Sequence, residues 1–220
     1  MMYSVVGKHC PALSRHQQEL IYLLVLVCFV TAGCSRLKQW AYQGIDRDQW
    51  QQSDKVIATL QIPPGAEIAD IGAGGGYFTF HLAKAAGPNG KVYAVDIDRG
   101  TNELIDERAQ KEGVNNVQTI LAKPNDPALP EAAVDLIFTS NTYHHIDDRV
   151  VYFSNLRKYL KPAGRIAIID YDRRAWLAGL LRHYTPAEFI KREMEQAGYT
   201  LQQELTFLDR QSFLIFRDNR

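Results

Sequence analysis

The sequence predicts an α/β protein, built as a doubly wound, mostly parallel sheet with helices on both faces. Three observations support this fold class. An apolar run at 67–71 is followed by a glycine-rich turn at 72–76 and by a helical pattern that begins at Tyr77. A second apolar run at 91–96 ends on an acid, Asp96. Further short apolar runs alternate with helical patterns toward the C-terminus, which is typical of βαβ units.

Local signals define the remaining elements. Asp46 or Asp48 is expected to cap a lead-in helix that ends before Pro63, and Thr185 is expected to cap the last helix because proline follows it. Two further caps are expected, Asp98 for the helix at about 101–112 and Asp147 or Asp148 for the helix that ends at Leu160. In the lead-in, Trp40, Tyr42 and Trp50 are either packing residues or parts of a lid. From periodicity we expect helices at about 48–60, 77–86, 101–112, 148–160 and 186–197, and strands at 117–121, 133–138, 165–170, 199–208 and 211–216.

The glycine turn at 72–76 is predicted to hold a ligand. Glycines allow positive φ and a close approach to bare backbone, and the helix that follows presents unpaired N–H groups at its first turn. The dinucleotide fingerprint G-x-G-x-x-G does not fit, because Tyr77 stands where the third glycine is required. We therefore disfavour a nicotinamide-dependent reductase.

Asp70, Gly72, Gly74 and Gly76 match the pattern D/E-x-G-x-G-x-G in full. The stretch resembles motif I of the class I S-adenosylmethionine (SAM) methyltransferases. Asp96 follows Gly76 by twenty residues, where a carboxylate can accept both ribose hydroxyls of a nucleoside. The segment L-K-P-A-G at 160–164 resembles the post-helix turn of the small-molecule members, with alanine replacing one glycine.

The resemblance covers about 50–218 and implies a seven-stranded sheet of order 3-2-1-4-5-7-6 with an antiparallel seventh strand. It implies SAM as the methyl donor and a small or lipid-like methyl acceptor. Ile97 is expected to stack on adenine, and the loop at 140–148 is expected to lie beside SAM. Where many relatives carry an acid that contacts the adenine amine, this chain has Ala122-Lys123, so either the backbone or Asp126 makes that contact. The expected cofactor-binding residues are Asp70, Gly72, Gly74, Gly76, Tyr77, Asp96, Ile97 and Asn141.

A general base is needed only if the acceptor must lose a proton during transfer. Histidine suits this role because it titrates near neutral pH. The candidates are His145, His144, Tyr143 and His183, although each histidine also has a purely structural interpretation. No metal site is predicted, because the adjacent histidines and Asp147 lack an evident third ligand.

Composition excludes several other functions. The formal net charge is +0, which argues against a non-specific nucleic-acid binder, and 46% of the residues are hydrophobic, enough for a sizeable core. The 3 cysteines, Cys10, Cys28 and Cys34, all precede the predicted domain. A cysteine nucleophile, a cysteine metal site and disulfides in the folded body are therefore excluded.

Residues 1–34 are predicted to be a signal peptide, a lipoprotein signal or a membrane anchor. Lys8 and Arg15 precede an apolar core at 20–30, and small residues then lead to Cys34, as in a lipobox except that Thr31 replaces the usual leucine. We expect a helical lead-in at 35–65 and a methyltransferase domain at 66–220, associated with a membrane on an unassigned side. The alternative function is an exported, non-enzymatic binding module for a nucleoside or a partner.

Overall fold

The computed structural model describes residues 47–174 and 184–220. The predicted targeting segment with Cys34, the possible cap Asp46, the aromatic residues Trp40 and Tyr42, and the candidate base His183 lie outside the described residues. Within the described ranges, no helix has both the length and the apolar character needed to cross a membrane.

Helices and strands alternate along most of the described chain. The helices are α1 (Arg47–Gln51), α2 (Ser53–Leu60), α3 (Tyr77–Ala86), α4 (Arg99–Glu112), α5 (Arg149–Leu156) and α6 (Ala187–Gln196), with short 3-10 turns at Tyr143–His145 and Arg157–Tyr159. The strands are β1 (Glu67–Ile71), β2 (Lys91–Asp96), β3 (Val117–Leu121), β4 (Val134–Ser140), β5 (Leu160–Tyr171), β6 (Tyr199–Leu205) and β7 (Gln211–Asp218).

The strands form one sheet of order β3-β2-β1-β4-β5-β7-β6, and this confirms the predicted fold class and topology. The first five strands pair in parallel, whereas β7 runs antiparallel to both β5 and β6. The chain order reverses between β1 and β4, where Ile71 lies opposite Thr139. Ligands bind at such a switch point, outside the carboxyl ends of the strands.

Helices cover both faces of the sheet, because the side chains of the central strands point alternately to opposite sides. On β1, Ala69 and Ile71 pack into a cluster with residues of α5 and α6, whereas Ile68 packs into a second cluster with residues of α2 and α3. Strand β1 is almost fully buried, as expected for a central parallel strand. The edge formed by the carboxyl ends of the parallel strands, called the carboxyl edge below, is where a ligand is expected to bind.

Several predicted boundaries need correction. The lead-in is two helices rather than one, because Gln52 adopts a left-handed conformation with φ 46° between α1 and α2. The fifth helix ends at Leu156 instead of 160. Strand β5 begins at Leu160, so the L-K-P-A-G segment belongs to an irregular start of this strand, where Ala163 has φ 66°.

The structure confirms some of the predicted helix caps and contradicts others. The side chain of Asp98 accepts a hydrogen bond from the N–H of Gly100 and caps α4, as predicted. Asp148 occupies the N-cap position of α5, but its side chain makes no capping bond. The prediction for Thr185 was wrong, because Pro186 takes the N-cap position of α6 and Thr185 is buried before it.

Candidate active site

The glycine turn closes tightly over the end of β1. The backbone N–H groups of Gly72 and Ala73 donate to the carbonyl of Val95, at 2.8 and 3.1 Å, which ties the turn to β2. Gly72, Gly74 and Gly76 have φ values of 72°, 52° and 77°. Side chains rarely adopt these conformations, so the spacing of the three glycines follows from the path of the backbone.

Asp96 lies at the end of β2, half-buried beside this turn. One carboxylate oxygen accepts the N–H of Gly74 at 2.8 Å, and the other accepts the N–H of Asp98 at 2.9 Å. Because a carboxylate offers about four lone-pair positions, both oxygens retain capacity for the hydroxyls of a ribose. Ile97 follows with 62% of its surface exposed. A fixed acid beside an uncovered apolar side chain and a glycine turn fits the nucleoside part of SAM.

Asp70 is buried under the turn, where its carboxyl accepts a hydrogen bond from the hydroxyl of Thr79 at 2.7 Å. Burial raises the pKa of Asp70 from 3.8 to about 7, and the nearby negative charge of Asp96 acts in the same direction, against the hydrogen bond from Thr79. The acid therefore changes its charge close to neutral pH.

Helix α1 lies over the carboxyl edge of the sheet and contacts it through several side chains. The Tyr77 hydroxyl donates to Asp48 at 2.5 Å, and the Arg47 guanidinium lies 4.0 Å from the centroid of the Tyr77 ring. Burial lowers the pKa of Arg47, and burial with the bond to Asp48 raises the pKa of Tyr77 to about 12. Trp50 stacks on Tyr171 of β5 with ring centroids 6.2 Å apart.

The end of β4 and the loop that follows it are held by hydrogen bonds to β5, β7 and α1. Asn141 has φ 57°, and its N–H donates to the carbonyl of Ile169 at 2.8 Å. Its side-chain oxygen accepts a bond from Gln211 at 2.7 Å, and the amide of Gln51 on α1 reaches the hydroxyl of Ser140 at 3.3 Å. The structure therefore places Asn141 directly after the carboxyl end of β4, with its backbone bonded to β5 and its side chain bonded to β7.

His144 and His145 follow in the 3-10 turn, with ring centroids 4.0 Å apart. Nδ1 of His144 lies 2.8 Å from Oδ1 of Asp170, and the two side chains are 7% and 0% exposed. His145 is exposed. The ring of His144 is thus fixed by a buried carboxylate, whereas His145 lies at the surface.

Tyr143 points away from this edge. Its ring is buried against Phe153, with centroids 5.1 Å apart, and its hydroxyl donates to Glu193 of α6 at 2.7 Å. Arg149 bonds the same carboxylate. Burial, followed by the bond to Glu193, raises the pKa of Tyr143, which makes it a poor proton acceptor at neutral pH. We assign this side chain to the packing of α5 and α6.

Sequence reasoning missed the contribution of Asp170, Gln51 and Arg47. Asp170 had a detectable signal, because it ends a predicted strand as Asp96 does, whereas no local pattern marks Gln51 or Arg47. The carboxylate of Asp126, one of two candidates for the adenine amine, accepts bonds from the Tyr159 hydroxyl and the Ala128 N–H. In the described ranges, no three metal-ligating side chains form a cluster.

Known proteins with similar sequences are methyltransferases. A family model described as a methyltransferase domain matches residues 62–208. The chain is 25% identical over 177 residues to phosphoethanolamine N-methyltransferase 1 of Arabidopsis thaliana, covering 80% of this chain and 34% of that protein. It is 26% identical over 117 residues to the ubiquinone/menaquinone biosynthesis C-methyltransferase UbiE of Burkholderia multivorans, covering 53% and 48%. The chain thus spans about a third to a half of the length of these relatives.

The fold also matches solved structures. A SAM-dependent methyltransferase from Aquifex aeolicus superimposes with a TM-score of 0.76 at 23% identity, covering 82% of this chain and 96% of that one. This likeness establishes the fold. With the family match over 62–208, the chain belongs to the methyltransferase-domain family.

Proposed function

We propose that the chain transfers a methyl group from SAM to a small or lipid-like acceptor at the carboxyl edge of β1 and β4. The observation that carries the proposal is the fixed carboxylate of Asp96 beside the glycine turn, with the exposed side chain of Ile97 next to it. An acid that both accepts backbone N–H groups and retains free lone pairs suits a ribose diol.

The roles of the cofactor-binding residues follow from their positions. Asp96 would accept the ribose hydroxyls, Ile97 would cover one face of adenine, and the turn from Gly72 to Gly76 would pass along the ligand without side chains in the way. Asp70 lies one layer deeper, where its charge would favour the positive methionine end of SAM. Asn141 would border the same end through its left-handed backbone.

SAM supplies a methyl group that is already activated by the positive sulfur. The work of the protein is therefore to align the acceptor and to exclude water. Helix α1 supports this role, since Trp50 stacks on Tyr171 and Gln51 reaches Ser140 above the ends of β4 and β5. We assign the space between this helix and His144 to the acceptor.

The activities named for the two relatives support a small acceptor but do not identify it. One relative is an N-methyltransferase of phosphoethanolamine and another is a C-methyltransferase of quinone biosynthesis. We extend the proposal to membrane association through residues 1–34, supported by the basic and apolar residues of that segment. Fractionation of cells that express the full chain tests this part, with a deletion of residues 1–34 as the control.

The proposed transfer is tested with the full chain and SAM carrying a tritiated methyl group. The labelled donor is incubated with a small-molecule and lipid extract, and the products are separated from protein and nucleic acid. We expect tritium in a small-molecule or lipid fraction and none with Asp96→Ala. Label found only in protein or nucleic acid, or no transfer by protein that binds SAM, contradicts the proposed acceptor class.

A further inference from the structure

A buried pair at the carboxyl edge, His144 and Asp170, is not among the residues assigned above to SAM. Asp170 ends β5 with no exposed surface, and its Oδ1 lies 2.8 Å from Nδ1 of His144. Its other oxygen, Oδ2, has no hydrogen-bond partner among residues 47–174 and 184–220. A buried carboxylate with an unused oxygen is costly unless it balances a positive charge.

This contact determines which nitrogen of His144 can accept a proton. An ionised carboxylate only accepts hydrogen bonds, so Nδ1 must carry the hydrogen and Nε2 must present its lone pair. Burial raises the pKa of Asp170, while the bond from His144 and backbone bonds at His144 and Tyr171 oppose the shift. The net shift is upward because burial outweighs these donors, so the tautomer with hydrogen on Nδ1 requires that Asp170 stay ionised near neutral pH, which the first test below measures.

The surroundings of the pair indicate which acceptor it serves. The rings of Trp50 and Tyr171 are stacked, and the Tyr171 centroid lies 6.4 Å from that of His144. Flat aromatic surfaces of this kind bind another aromatic ring by offset or edge contacts. The aromatic side chains and the candidate base lie together beyond the ends of β4 and β5.

We propose that His144 is the general base of the reaction, that Asp170 is its positioning residue, and that the acceptor is an aromatic compound with an ionisable hydroxyl. This inference rests on the proposed methyl transfer. The hydroxyl proton moves to Nε2 of His144, and the electron pair of the O–H bond stays on the acceptor. The imidazolium that forms is balanced by the carboxylate of Asp170. The acceptor's electron pair then bonds to the methyl carbon, while the C–S pair remains on sulfur as S-adenosylhomocysteine.

A base also serves an alkylammonium acceptor, which must lose a proton before transfer. The aromatic side chains beside the pair are therefore what favours an aromatic hydroxyl over an amine. Other ionisable groups surround the pair and must be considered in any pH profile. They are Asp170 and Tyr171 on β5, His145 in the same turn, and Arg47 and Arg210, which act electrostatically on Tyr171.

The first test is the tautomer of His144, which requires no acceptor. Nitrogen-15 spectra of the histidines in the full chain are recorded near neutral pH, both without ligand and with S-adenosylhomocysteine, and the signals are assigned by their loss in His144→Gln. We expect the neutral ring to carry hydrogen on Nδ1, and we expect Asp170→Asn to remove this preference. Hydrogen on Nε2 in the native protein overturns the proposal.

The second test measures methyl transfer to two probes, hydroquinone and phosphoethanolamine. We expect methylation of hydroquinone whose rate falls as the pH is lowered, because a protonated imidazole cannot accept a proton. Asp170→Asn is expected to lower kcat at least about a hundredfold with the KM for SAM unchanged. The matched control is Asp106→Asn. Asp106 is an exposed acid of α4 that accepts a hydrogen bond from Thr119 of β3.

The remaining outcomes are also decisive. Methylation of phosphoethanolamine alone, or of neither probe by protein that binds SAM, overturns the assignment of an aromatic hydroxyl acceptor. A purely structural role of Asp170 predicts lower stability of Asp170→Asn with an unchanged kcat and pH profile. Failure to bind SAM, measured by calorimetry, is separate, because it contradicts the proposed function itself while the tautomer can still be read.

Discussion

Thr142 fills the space directly above Gly72. A Cβ atom added at Gly72 would lie 2.1 Å from Oγ1 of Thr142 and 2.7 Å from its Cβ, distances that no packed side chain tolerates. The loop after β4 therefore rests on the bare backbone of the turn after β1. This contact joins the two loops that flank the switch point, so a change at Gly72 affects both the proposed SAM site and the proposed acceptor site.

Gly72→Ala is expected to destabilise the protein by more than about 2 kcal/mol, because it combines a severe overlap with a positive φ. Urea unfolding measures the loss. Gly113→Ala is the matched control, because Gly113 has a similar φ of 68° and nothing within 4 Å of its added Cβ. It should cost roughly 1 kcal/mol. Equal losses in the two variants would contradict the assigned contact with Thr142.

Asp70→Asn is expected to change how stability depends on pH. The raised pKa of Asp70, about 7, means that the folded state holds a proton that the unfolded state releases between pH 3.8 and 7. The contribution of this group is therefore present below pH 3.8 and is lost as the pH rises through 7. The free energy of unfolding of the wild type should fall relative to Asp70→Asn across this window.

The comparison for Asp70 uses urea unfolding at several pH values between 4 and 8. Asparagine keeps an oxygen that can accept the hydroxyl of Thr79, so the difference isolates the charge. A difference between the two proteins that does not vary with pH would show that Asp70 has an ordinary pKa in the folded state.

Tyr143→Phe is expected to leave methyl transfer intact and to lower stability by roughly 1.5–3 kcal/mol, the usual value of a hydrogen bond to a charged group. The hydroxyl is bonded to Glu193 in the layer of α5 and α6, away from the proposed acceptor space. Activity and urea unfolding are measured on the same preparation. A large loss of kcat with normal stability would instead support the role of Tyr143 as a base.

Helix α1 is expected to be held in place by ligand. Hydrogen–deuterium exchange of residues 47–51 should slow when S-adenosylhomocysteine binds, because the helix covers the edge where the ligand is proposed to lie. Trp50→Ala should speed the exchange in the free protein by removing the stack on Tyr171. Unchanged exchange on ligand binding would mean that α1 is only a packing element.

The sheet and its order could be predicted because local signals agree with a strong resemblance. Glycine positions, the acid at Asp96 and the apolar periods of β1 and α3 are all short-range features, and α3 has the predicted bounds. The break at Gln52 could not be predicted, since glutamine rarely adopts positive φ and the cause lies in contacts far along the chain. Its side chain bonds the carbonyl of Phe207 at 2.8 Å.

Site residues that lie at or just after strand ends could be predicted from the sequence. Site residues that are brought together by tertiary contacts could not. Strand ends could be located, so Asp96 at the end of β2 and Asn141 just after β4 lie where the sequence predicts, and their binding of SAM stays a prediction. The pairing of His144 with Asp170 joins a turn after β4 to the end of β5, and neither residue signals the other in the sequence. The same holds for Tyr143, whose neighbours in sequence face the edge while its own ring enters the core.

The most direct test of the account is a calorimetric titration of the full chain with SAM, beside Asp96→Ala. Each ribose hydroxyl bond to a charged acceptor contributes roughly 1.5–3 kcal/mol, so we expect the variant to bind at least about a hundredfold more weakly. Asp106→Asn, an exposed acid on α4, should bind as the wild type does. Equal affinity of Asp96→Ala and wild type would contradict the proposed site, and binding lost in the folded variant alone would support it.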